Sequence, residues 1–215
     1  MSSPTVAIVD YGLGNLYSVQ SAFEYLGIKS VVTADPQTIL NSKKIVLPGV
    51  GAFPKAMQSL KNLGLVPVIN ELNDRRIPLL GICLGMQLLM ESSEEFELTR
   101  GLGLIPGRVV QVPNKTITGE PHKTPHLGWN SIRQSNKDIG WNNSLLQDNK
   151  IGDSTYFVHS FMAVPSELKN IIAHTLYGGH EITAAVTNGH IFGCQFHPEK
   201  SGKVGLKILA RFVSI

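Results

Sequence analysis

Four short strand-like runs, three of them mostly apolar, alternate with segments whose apolar positions step by three and four, and this alternation restricts the fold more than any other feature. The runs are Val6–Val9, Ile28–Thr33, Lys44–Leu47 and Pro78–Ile82. Strands without a polar face must be covered on both sides, which predicts a mostly parallel sheet with helices on both faces. Between the runs, Asn15 is placed to cap a helix carrying Leu16, Val19, Phe23 and Leu26, with Gly27 as its closing glycine. Asp35-Pro36 predicts a short helix opened by a cap and an N1 proline. Pro54–Leu63, stopping at Gly64, and Pro67–Asn73 read as helices, and Leu84–Glu91 predicts one directly after the fourth strand.

The second half differs. Gly107–Arg133 has short extended runs with prolines and glycines, predicting antiparallel strands or hairpins. Asn136–Asp153 is polar and rich in asparagine, as a surface loop would be. Strand candidates follow at Tyr156–His159, Ile171–His174, Ile182–Val186 and Ile191–Phe196. Ser201 is placed to cap a closing helix with Val204, Ile208, Leu209 and Phe212 on one face.

Composition narrows the class. With 215 residues, 42% apolar and 16% charged, the chain has enough core for a single domain over residues 1–215 and is not disordered. A formal charge of +3 is scattered rather than gathered into the basic stripe of a nucleic-acid binder. The most apolar window, Ile77–Met90, falls short of the roughly 20 residues a membrane span needs. The chain shows no positively charged leader, and its two cysteines, Cys83 and Cys194, make no disulfide framework. The expectation is a soluble cytoplasmic protein. No cofactor or metal is expected: Gly12-Leu-Gly14 lacks a third glycine at Tyr17, and no clustered metal-ligand motif occurs.

Gly81-Ile-Cys-Leu-Gly85 follows a buried strand and opens a helix, the context of a nucleophile elbow. There Cys83 would project from the sheet edge at the positive end of a helix, which favours the reactive thiolate. The Leu84 N–H would point at a developing oxyanion. A lone cysteine is more often a small buried apolar residue, so the reading needs a base. Phe196-His-Pro-Glu199 supplies one at the end of a strand predicted to reach the same edge. With Pro198 holding the segment extended, Glu199 would share a face with His197 and reach its ring. The turn Pro48-Gly-Val-Gly51, at the end of the third strand, would present backbone N–H groups of Gly49, Val50 and Gly51 as a second oxyanion donor.

Gly81-Ile-Cys-Leu-Gly-Met-Gln87, Gln195-Phe-His-Pro-Glu-Lys200 and Pro48-Gly-Val-Gly-Ala-Phe53 resemble the signatures of class I glutamine amidotransferases. Within that class the chain is similar to the glutaminase subunits of imidazole glycerol phosphate synthases. Met86 stands where anthranilate and GMP synthase glutaminases usually carry histidine, and Asp10–Leu16, His126–Asn130 and Tyr156–Phe161 also match these subunits. The insert-like region around Asn136–Lys150 is the main departure. The resemblance implies a flavodoxin-like sheet plus a smaller antiparallel sheet. It also implies glutamine as substrate, a Cys83–His197–Glu199 triad, and ammonia passed to a (β/α)8-barrel cyclase. By resemblance, Gln87, Glu95, Ser160 and Phe161 would hold the glutamine α-groups, and Asn15, Trp129, Tyr156 and Lys200 would lie at the cyclase interface. Activity would be low until the cyclase carries its nucleotide ligand. Three other readings stay open on the residues alone: the glutaminase of a different synthase, a cysteine hydrolase acting without a partner, and a binding module that kept the elbow as structure.

Overall fold

The computed structural model describes residues 5–135 and 140–215. In chain order, β1 (Val6–Val9), α1 (Leu16–Tyr25), β2 (Ser30–Thr33), α2 (Pro36–Leu40) and β3 (Lys44–Gly49) open the alternating half. It continues through α3 (Phe53–Asn62), α4 (Leu65–Asp74), β4 (Leu79–Cys83) and α5 (Leu84–Leu88). Then come β5 (Met90–Ser93), β6 (Thr99–Arg100), β7 (Ile105–Gln111), β8 (His126–Ser131) and β9 (Arg133–Gln134). β10 (Ser154–His159), β11 (Phe161–Pro165), β12 (Ile171–Tyr177), β13 (His180–Asn188), β14 (Ile191–Cys194) and α6 (Gly202–Ser214) complete the chain.

The main sheet runs β2-β1-β3-β4-β14-β13-β12-β9. Its first five strands are parallel, and β13, β12 and β9 extend it antiparallel. Apolar strands are covered on two sides as expected. Ala7 and Val9 face a core built with Phe53, Met57 and Leu60 of α3 and Ile69 and Leu72 of α4. Val6 and Ile8 face the opposite core, with Val19 and Phe23 of α1 and Ile208, Leu209 and Phe212 of α6. Alternate strand residues project to opposite faces, so one four-residue run serves both cores. A small antiparallel pair, β8 with β10, and a four-stranded sheet, β11-β7-β5-β6, sit beside the main one.

Local signals held at several points. Asn15 caps α1 by accepting from Ser18 N, and Asp35 caps α2 from Thr38 N at 2.8 Å. At Gly27 the chain reverses with Gly27 N bonded to Glu24 O and Ile28 N to Phe23 O, each 2.9 Å. That closure takes Gly27 and Ile28 into the cap and starts β2 two residues later than predicted.

Elsewhere, long-range pairing overrides local pattern. The predicted helix Leu84–Glu91 ends at Leu88, because carbonyls of Leu88, Leu89, Met90 and Glu91 accept from backbone N–H groups of residues 101–105. That pairing draws Met90–Ser93 into a strand beside β7. β11, not predicted, pairs antiparallel with β7 through Phe161↔Gln111 to Pro165↔Gly107. The predicted loop at Asn136–Asp153 is only partly superficial; its residues 136–139 lie outside the described part. Within the remainder, Trp141, Leu145 and Leu146 are buried in the α1–α6 core, and the Trp141 indole donates to Ile172 O at 2.9 Å. Pro198 does not hold its segment extended: Pro198–Lys200 is a 3-10 turn closed by Lys200 N to His197 O at 3.0 Å. Ser201 precedes α6 without capping it, since its hydroxyl donates to His197 O and accepts from Tyr156 N.

Candidate active site

β4 is flanked on both sides by parallel strands, β3 and β14, so its last residue is fixed at the carboxyl edge of the sheet. That residue is Cys83, with φ 54° and ψ −113°. A side chain with a Cβ in such a conformation costs about 1–3 kcal/mol and persists only where the surroundings dictate it. The dictation comes from the two glycines. A Cβ at Gly85 would lie 1.8 Å from Leu47 O, and one at Gly81 would lie 2.6 Å from Gly85 O. Strand and helix meet closely enough to force the sharp turn between them.

A cavity of about 330 Å³ opens over the elbow, bounded by Val50 and Gly51, by Cys83, Leu84 and Gln87, by Glu95, and by residues 158–161. His197 completes it, three residues beyond the end of β14, the strand next to β4. Its Nδ1 lies 2.7 Å from Glu199 Oε1, and both side chains are nearly fully buried. The 3-10 turn, rather than an extended segment, folds Glu199 back under the ring. Burial alone would lower the imidazole pKa; the Cys83 sulfur and the Glu199 carboxylate outweigh it and push the value up to about 10. Nε2, the nitrogen left over, is buried and meets the geometry of a hydrogen bond with none of the described residues. The sulfur lies on the same cavity wall and raises the ring's proton affinity.

The other candidates separate into groups. Gln87, buried, donates to Phe161 O at 2.9 Å and to Gln195 Oε1 at 3.0 Å. Glu95 lines the cavity while its Oε2 accepts from Phe53 N at 2.7 Å, at the start of α3. Ser160 and Phe161 form the opposite wall. Val50 and Gly51 border the cavity, with Gly51 at φ +108°, a conformation that glycine alone adopts readily. Gly49 does not border it. It is buried behind the turn, where a Cβ would stand 2.5 Å from Tyr11 Oη and 2.9 Å from Gly85 N, so close packing explains that glycine.

Trp129 and Tyr156 pair across β8 and β10 with ring centroids 5.9 Å apart, and Trp129 is 55% exposed. The Tyr156 carbonyl accepts from His197 N at 2.9 Å, which joins that aromatic face to the site. Lys200 is exposed beside Glu199, on the turn against which α1, capped by Asn15, packs. Gln195 was not singled out from the sequence. It is fully buried and its Nε2 donates to the Cys83 sulfur at 3.8 Å. Its place two residues before His197, directly after the strand neighbouring the elbow, is the available signal.

A family model described as Glutamine amidotransferase class-I matches residues 7–215. The chain is 44% identical over 211 residues to imidazole glycerol phosphate synthase subunit HisH 1 of Legionella pneumophila (strain Lens), covering 98% of this chain and 99% of that one. It is 47% identical over 210 residues to the HisH subunit of Geobacter metallireducens, covering 97% of each. Among solved structures it is similar in fold to PurLQS from Thermotoga maritima, with TM-score 0.71 at 21% identity, covering 99% of this chain and 98% of that one. The glutaminase domain of Trypanosoma brucei CTPS with bound acivicin gives TM-score 0.61 at 17% identity, covering 97% and 93%.

Proposed function

Since the chain belongs to the class-I glutamine amidotransferases, at 44–47% identity to HisH subunits over nearly its full length, we propose that Cys83, His197 and Glu199 carry out its glutamine hydrolysis. The chain is the glutamine amidotransferase subunit of an imidazole glycerol phosphate synthase and serves histidine biosynthesis. The carbon–nitrogen lyase half of that synthase belongs to the cyclase subunit. We place this chain in the cytoplasm as a single domain working with a (β/α)8-barrel cyclase.

In the proposed reaction the Cys83 thiolate attacks the side-chain amide carbon of glutamine. The carbonyl oxygen takes the negative charge, facing the Leu84 N–H and an N–H of the Val50–Gly51 turn. Each donor of this kind is worth roughly 2.7–4 kcal/mol in other enzymes. His197 gives its Nε2 proton to the departing nitrogen, which leaves as ammonia, and a γ-glutamyl thioester remains. His197 then takes a proton from water as that water attacks the thioester, releasing glutamate and restoring thiolate and imidazolium. Glu199 keeps Nδ1–H directed at itself, so Nε2 faces the reacting atoms throughout. Gln87, Glu95 and the Ser160–Phe161 backbone serve the glutamine α-groups in this reading.

Ammonia is protonated by bulk water at neutral pH and loses its nucleophilicity, so the product must leave into a dry path. The Trp129–Tyr156 face, with Asn15 and Lys200, is where we place the cyclase, which receives ammonia and forms imidazole glycerol phosphate and aminoimidazole carboxamide ribotide. A turn with Gly51 at φ +108° can reorient its N–H groups at low cost when the partner binds its ligand.

The observation that carries this reading is a strained cysteine sharing one cavity with a histidine whose far nitrogen is pinned at 2.7 Å by a buried carboxylate. The test is glutamate release by the chain assembled with a nucleotide-loaded cyclase. Cys83→Ala should abolish it, and activity surviving within about tenfold would overturn the assignment.

A further inference from the structure

His126 and His159 take no part in the reaction as written, yet both are buried and together form a line of hydrogen bonds ending at the cavity wall. Asn130 Nδ2 lies 2.7 Å from His126 Nε2 and 3.4 Å from Leu176 O. His126 Nδ1 lies 3.0 Å from His159 Nε2, and His159 Nδ1 lies 2.8 Å from Phe161 O. That carbonyl is the one Gln87 also donates to.

The two ends of the line fix every proton in it. A carbonyl only accepts, so His159 must carry its proton on Nδ1 and present a lone pair at Nε2. His126 must then donate from Nδ1 and accept at Nε2. Asn130 must direct its NH2 at that lone pair, which the Leu176 carbonyl on the same side also requires. Reversing any member would set two lone pairs or two N–H groups against each other. Only neutral rings fit this pattern. Burial, with the neighbouring His122 adding, pushes His126 down to about 4. Burial, with His126 adding and the bond to Phe161 opposing, pushes His159 down to about 3.

The rings also have little freedom to turn. His126 is stacked between Phe157 at 4.7 Å and Tyr177 at 4.0 Å. Tyr177 is itself tied by its hydroxyl to Lys123 O at 3.0 Å. β8, which carries Asn130 and His126, is registered residue by residue on β10, with His126 opposite His159.

We propose that His126 and His159 are positioning residues that act through the Phe161 carbonyl, holding the peptide wall that receives the glutamine α-groups. The inference rests on the glutaminase reading for what the wall binds, while the relay is defined by the rings themselves. Two donors on one carbonyl, His159 from behind and Gln87 from α5, prevent the peptide at Phe161 from rotating. Losing one of them should weaken glutamine binding more than it slows the attack by sulfur.

The test compares His126→Phe with His126→Asn in the full chain assembled with liganded cyclase. Phenylalanine keeps the stacked slot and loses the donor; asparagine loses the stack and places Nδ2 where Nδ1 donated. The relay predicts KM for glutamine raised about tenfold in His126→Phe and within about threefold of wild type in His126→Asn, with kcat changing less. Alkylation of Cys83 by iodoacetamide, which needs no α-group cradle, should stay within about twofold of wild type in both. A purely packing role predicts the opposite order, and that result would overturn the proposal. Should both variants fail to fold, nitrogen NMR of the wild-type chain decides alone. Both rings neutral with Nδ1–H supports the relay, and Nε2–H on either ring sinks it. Absence of turnover in wild type would count against the glutaminase reading and leave the tautomer result standing.

Discussion

Glu199 approaches His197 from two residues along the chain, its Oε1 2.7 Å from Nδ1, and the 3-10 turn at Pro198–Lys200 is what makes so short a separation in sequence into a direct contact. With both side chains out of water, the carboxylate has few other ways to be satisfied and the ring has few other orientations. Glu199→Gln keeps the shape and removes the charge that holds Nδ1–H in place. Its kcat should fall on the order of 10²- to 10⁴-fold, as in other triads deprived of their acid. KM should move by no more than about threefold, measured by steady-state glutamate release in the liganded complex.

The proton on His197 provides a second check. Burial works against the charged ring, yet the Cys83 sulfur and the Glu199 carboxylate outweigh it and push its pKa from the ordinary 6.5 up to about 10. A raised folded pKa means that this group favours the folded state fully below about 6.5 and loses that contribution as the pH climbs to about 10. Observed by NMR, the ring should remain protonated as the pH rises past 8 in the wild-type chain, a value well below its folded midpoint. Cys83→Ser removes the sulfur, one of the two groups that raise it, so the midpoint should move downward. An unchanged midpoint would mean that sulfur and ring do not interact.

Gly85 and Gly103 make opposite demands. A Cβ at Gly85 would meet backbone at 1.8 Å, whereas one at Gly103 meets nothing within 4 Å and is limited only by φ +66°. Gly85→Ala should therefore lower stability by about 3 kcal/mol or more, or prevent folding, and Gly103→Ala by about 1 kcal/mol. Denaturant unfolding distinguishes them, and similar losses would show that the elbow is not closely packed.

Glu95 connects the cavity to α3 through its bond to Phe53 N. Glu95→Ala should lose both the cap, about 0.5–2 kcal/mol by analogy with other helix caps, and a cavity-lining carboxylate. The expected result is a raised KM for glutamine at nearly unchanged iodoacetamide reactivity of Cys83.

What the sequence made legible was mostly local. Asn15 and Asp35 cap the helices they precede, Gly27 closes α1, and the elbow is recognisable because its two glycines and its cysteine are contiguous. What it hid depends on partners far along the chain. Met90 and Glu91 fall within the predicted helix Leu84–Glu91 yet join the strand Met90–Ser93, because residues 101–105 and β7 claim their backbone. Trp141, Leu145 and Leu146 look isolated in a polar stretch until β12 and α6 are folded beside them. Glu199 reaches its histidine as expected, though through a turn where an extended segment was predicted. Gln195 and the His126–His159 pair gave no periodic signal, since each is defined by contacts across 33 residues or more.

Acylation of Cys83 is the step on which the proposed chemistry depends. It is read by mass spectrometry of the chain, acid-quenched during turnover of glutamine with liganded cyclase. One glutamyl group is expected on the peptide containing Cys83, absent from Cys83→Ser. Turnover with no acyl adduct on Cys83, or an adduct on Cys194 instead, would contradict it.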